Sequence, residues 1–106
     1  MEKLKRIRRE IKKAQNYWAG IKCEIDNAPD LGCLSVKKEK LKNHLEEIRK
    51  MIGNRLLKCD NKIFREKCVD LLTKIFDISE DLNRTYAFPG YVESYYIYDT
   101  IKMAKY

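Results

Sequence analysis

Punctuation is what this chain has least of. Four glycines and two prolines interrupt 106 residues, so the sequence predicts few, long elements joined by short connections. Apolar residues never run more than three or four together, which is too short for a membrane span. The Lys- and Arg-rich start is followed by no apolar stretch, so neither a secretory signal nor a membrane partner is expected, and a cytoplasmic setting is.

Chemical signatures are missing too. No glycine loop that could cradle a phosphate is present, nor the Glu-x-x-His arrangement of di-iron bundles. His44 is the only histidine, and its one acidic neighbour at helical spacing is Glu47, a pairing common on helix surfaces. The four cysteines, Cys23, Cys33, Cys59 and Cys68, lack the short spacings of zinc knuckles. In an intracellular protein they read as free thiols. If a disulfide forms, Cys23 with Cys33 is the pair placed for it. No cofactor, metal or catalytic residue is expected, and the chain is not expected to be an enzyme.

What is present is periodicity. Leu4, Ile7, Ile11, Ala14, Trp18, Ile21 and Ile25 recur at alternating steps of three and four. That makes a narrow apolar stripe on one face of a helix, which must be buried against other helices. Leu41, Leu45, Ile48, Ile52 and Cys59 continue the pattern, interrupted by Lys38 and Arg55 and widened by Leu56 and Leu57. Phe64, Cys68, Leu71, Ile75, Ile78 and Leu82 form a third seam, which Leu72 and Phe76 broaden. The broad face predicts a central helix touching two neighbours.

Boundaries follow from the breakers. The Ala28-Pro29-Asp30-Leu31-Gly32 stretch ends the first helix, and Ser35 is a good N-cap for the second. Asp60 caps the third, and Phe88-Pro89-Gly90 favours a turn after it. The last stretch has tyrosines of strand propensity. Glu93 near its start and Lys102 and Lys105 near its end suit a helix dipole, however, and Ile97, Ile101 and Ala104 suit a helical face. The expectation is one all-α domain over residues 1–106. It is an antiparallel bundle of three long helices, about 2–27, 35–58 and 61–84, with a short C-terminal helix at about 91–105.

Charge and aromatics supply the candidate surfaces. The net charge of +7 is uneven. Residues 1–22 hold eight bases and two acids, residues 35–58 hold eight and three, and the charges nearly cancel from Cys59 onward. Lys5, Arg6, Arg9, Lys12 and Lys13 fall opposite the first seam, and Lys37, Lys38, Lys40 and Lys42 crowd the predicted opening turns of the second helix. Cations there oppose the helix dipole, and a bound polyanion would reverse that penalty. A solvated face filled by lysine is the competing reading. Six of the seven tyrosines lie from Tyr86 onward. A short amphipathic helix cannot bury them all, so Phe88, Tyr91, Tyr98 and Tyr106 are candidate anchors for a protein partner. The leading expectation is a small binding protein (inhibitor, adaptor or assembly subunit) that recognises another protein. The first seam would also suit pairing in a homodimer. The runner-up is a nucleic-acid binder using the basic faces of the first two helices.

Overall fold

The computed structural model describes residues 4–27, 31–58, 61–84 and 95–105, with the side chains of 4–24, 36–58, 61–84 and 97–104. Four α-helices carry nearly all of them: α1 (Lys5–Asn27), α2 (Leu31–Lys58), α3 (Lys62–Arg84) and α4 (Tyr95–Lys105). No strand occurs among the described residues. The tyrosine-rich segment is therefore helical from Tyr95; positions 91–94 of the expected helix lie outside the described residues.

Contacts between helices fix their directions. Glu10 of α1 meets His44 of α2, and Glu24 meets Lys37, so these two helices run antiparallel. Trp18 donates its indole Nε1–H to Asp81 of α3 at 3.4 Å. Arg65 and Phe76 of α3 meet Met103 and Tyr98 of α4, which gives a second antiparallel pair. The bundle is up-down-up-down.

In cross-section the bundle is a diamond. Helices α2 and α3 each touch all three others, whereas α1 and α4 do not touch one another among the described residues. The dimensions of 46 × 26 × 16 Å fit this arrangement. With axes about 8–10 Å apart, two helices span the short diagonal and the outer pair spans the long one. The broad apolar face of α3 thus meets three neighbours rather than two.

The seams are the core. Leu4, Ile7, Ile11, Ala14, Trp18 and Ile21 are buried on α1, Leu41, Leu45, Ile48, Ile52 and Leu56 on α2, and Cys68, Leu71, Leu72, Ile75, Ile78 and Leu82 on α3. Ile97, Ile101 and Ala104 close it from α4. Polar pins hold α4 down. Arg49 donates to Thr100 Oγ1 at 3.3 Å while also bonding Glu46, and Arg65 donates to the Met103 carbonyl at 3.4 Å.

Three expectations need correction. Helix α2 begins at Leu31, not Ser35. Gly32 therefore lies in a first turn, where its flexibility costs least, and Pro29 precedes the helix rather than breaking it. The α3 cap is Asn61, not Asp60: its side-chain Oδ1 accepts from the amides of Ile63 (2.9 Å) and Phe64 (3.3 Å). Leu57 does not widen the α2 core, because one residue beyond Leu56 the helix has turned about 100°, and Leu57 is 78% exposed. The α1 seam is consumed within the chain, so a homodimer would have to use another face.

Candidate functional site

The α1 basic row lies where the periodicity places it. Lys5, Arg6, Arg9, Lys12 and Lys13 are all exposed, with Arg8 beside them. Glu10 interrupts the row but leans away from it, bonding His44 across the α1–α2 groove at 2.8 Å and accepting from Lys13 at 3.4 Å. The His44 hydrogen bond holds the Glu10 carboxyl below its ordinary range, against the opposing effect of partial burial, and Lys13 adds to the lowering. His44 thus has an acidic partner 34 residues away, invisible to a search at helical spacing.

The α2 lysines do not form a matching row. Lys37 is half-buried and paired with Glu24. Lys38 sits on the seam itself, only 6% exposed, and burial, with Lys42 nearby, pushes its ammonium pKa down. Lys42 is half-buried and Lys40 exposed. With α2 beginning at Leu31, all four lie beyond its first turn, where the helix dipole has faded. The penalty argued from the sequence applies to α1 but not to α2.

Of the candidate aromatic anchors, Tyr98 is described. It is 47% exposed, rests at 6.1 Å from the Phe76 ring, and carries Lys102 Nζ at 4.7 Å over its own ring. Phe88, Tyr91 and Tyr106 lie outside the described residues, as does the Cys23–Cys33 pairing. Cys68 is a core residue and Cys23 is exposed. Among the described residues no cluster of His, Cys, Asp and Glu could hold a metal ion, and no helix is long and apolar enough to cross a membrane.

One end of the bundle brings together side chains from all four helices. There α1 and α3 begin while α2 and α4 end. Leu57, Ile63 (65% exposed) and Met103 (46% exposed) all stand in solvent at this end. They are three of the five large apolar side chains exposed among the described residues. Arg6, Arg55, Lys58, Lys62 and Arg65 lie at the same end. Two grooves open here. One, of about 520 Å³ between α3 and α4, is lined by Lys62, Arg65, Glu66, Val69, Asp70 and Ala104, so its two carboxylates balance its two cations. The other, of about 250 Å³ between α1 and α2, is lined among the described residues by Arg6, Ile7, Met51, Asn54, Arg55 and Lys58, none of them acidic.

Arg55 and Lys58 were missed by reasoning from the sequence, where Arg55 reads as a break in the seam. The signal was available: a step of four from Ile52 to Leu56 continues the seam and puts Arg55 on the flank facing α1. Compared with known proteins, the chain matches no family model, no curated protein and no solved structure.

Proposed function

We propose that the chain is a non-enzymatic, cytoplasmic binding protein that recognises another protein through the end of the bundle where α2 gives way to α3. The observation carrying this reading is that Leu57, Ile63 and Met103, each near a helix terminus at that end, are all exposed, on an end that also holds Arg6, Arg55, Lys58, Lys62 and Arg65. Burying a Leu or Ile side chain contributes about 1.5–3 kcal/mol, and here two such side chains are left in water beside one another's helix ends. An interface needs an apolar centre with a polar rim, and a cationic rim selects an acidic one. The partner surface is thus apolar, bordered by Asp and Glu.

A second reading, nucleic-acid binding, is favoured by the six exposed cations from Lys5 to Lys13 along α1. One experiment separates the two. Tagged protein is used to capture partners from cytoplasmic extract, with and without nuclease, beside a Leu57→Glu, Ile63→Glu variant. A protein retained after nuclease at raised salt and lost from the double variant supports the first reading. Recovery abolished by nuclease, or weakening steeply with salt, overturns it in favour of the second.

A further inference from the structure

The α1–α2 groove is distinctive for its charge. Four cations elsewhere in the bundle sit against acids, Lys13 with Glu10, Lys37 with Glu24, Arg49 with Glu46, and Arg84 with Asp81, and the α1 row stands open in solvent rather than around a cleft. In this groove Arg6, Arg55 and Lys58 converge from two helices, and among the described residues none of the three has an ion-pair or hydrogen-bond partner. The α2 C-terminus accounts for part of this, since Arg55 and Lys58 lie in its last turn and favour the negative end of the helix dipole. It does not account for Arg6, which is the second residue of α1 and sits at a positive end. Three like charges facing one cleft repel one another, and an anion between them turns that repulsion into attraction.

We propose that this groove binds a phosphomonoester, its dianionic head held by Arg6, Arg55 and Lys58 and its organic part resting on Ile7 and Met51. The charge selects the class. A carboxylate or an internal phosphodiester brings one negative charge, whereas a phosphomonoester brings about −1.5 to −2 near neutral pH, with three acceptor oxygens. Two guanidinium forks and an ammonium match those oxygens. Size narrows it further. At about 250 Å³ the groove is smaller than the sites that enclose drug-sized molecules. It has room for a phosphoryl group and a ring or two, not an extended chain. Ile7 is buried and Met51 half-buried, so the floor is apolar, and the Asn54 amide offers both a donor and an acceptor. A free nucleoside monophosphate and the 5′-phosphorylated end of a nucleic acid present the same chemistry. The proposal does not use the apolar side chains at this end, although Arg6, Arg55 and Lys58 also belong to the cationic rim beside them, and it shares only Arg6 with the α1 basic row proposed for polyanions.

The test is titration of the full chain with adenosine 5′-monophosphate, followed by amide chemical shifts and calorimetry, with adenosine as control. One saturable site is expected, with shifts at Arg6, Ile7, Met51, Asn54, Arg55 and Lys58, and no binding of adenosine. Arg55→Gln with Lys58→Gln should weaken it at least about tenfold, while Lys12→Gln with Lys13→Gln changes it less than about twofold. All four positions carry exposed or solvent-reaching side chains, and unchanged far-UV spectra confirm that the variants fold. A 5′-phosphorylated tetranucleotide that binds more tightly than the mononucleotide, where its 5′-hydroxyl counterpart does not, identifies a nucleic-acid end as the source. Equal affinity identifies the free small molecule. Absence of saturable shifts up to about 10 mM ligand overturns the proposal. So does equal weakening by the Lys12 and Lys13 substitutions, which would reduce the effect to general surface charge.

Discussion

Truncating Leu72 to alanine tests the core argument most directly. Leu72 is fully buried on α3, the helix that meets every other one. The substitution removes three carbons, worth about 2.4 kcal/mol at 0.8 kcal/mol per methylene. With neighbours on three sides the wall cannot collapse into the gap, so the residual cavity raises the cost to about 3–4 kcal/mol. A domain of this length has a total stability on the order of 5–15 kcal/mol, so the variant folds but is visibly weakened. Urea unfolding is the assay, read by the fluorescence of Trp18, the single tryptophan, and by far-UV ellipticity. At about 1.5 kcal/mol per molar, the midpoint should fall by about 2–2.7 M. Leu57→Ala is the matched control, the same chemistry on the same scaffold at an exposed position, and should shift stability by less than about 0.5 kcal/mol. Because Trp18 lies on α1 and Leu72 on α3, coincident transitions from both probes also test whether the four helices unfold as one unit. Equal costs at Leu72 and Leu57, or a Leu72 cost below about 1 kcal/mol, would refute the packed diamond.

Two further expectations concern local contacts. Asn61→Ala removes the acceptor for the Ile63 and Phe64 amides and should cost about 1 kcal/mol, with Asn61→Asp restoring it, measured by thermal or urea denaturation. Glu10 has its folded-state pKa held below 4.5, chiefly by His44. Its contribution to stability is therefore complete above the unfolded pKa and lost as pH falls through the lower, folded value. Stability profiles of the wild-type and Glu10→Gln proteins should accordingly differ most above about pH 4.5 and converge in stronger acid. A gap that stays constant down to the acid limb would show that the His44–Glu10 bond carries no such linkage.

The architecture was legible because heptad-like spacing is a one-dimensional signal. Seams from Leu4 to Ile21, Leu41 to Ile52 and Cys68 to Leu82 name their own buried faces, and helical α4 follows from Ile97, Ile101 and Ala104. The start of α2 was not legible, since a proline two residues before a helix and a glycine in its first turn look in sequence like a break. Residues on flanks rather than stripes were also hidden. Whether Lys38 lies under the bundle or Lys40 stands outside it depends on which neighbour each flank meets. His44 finds Glu10, and Arg6 finds Arg55 and Lys58, only once α1 lies against α2 in one antiparallel register. Pairings between helices carry most of the candidate chemistry here, and no local window of the chain contains them.

Because α1 and α4 occupy opposite corners of the diamond and share no contact, the molecule has two rims joined only through its central pair of helices. Changes made on one rim should combine additively with changes on the other. Mutation can therefore remodel the cationic rim without disturbing the tyrosine-bearing one, so each could follow its own ligand independently over evolutionary time.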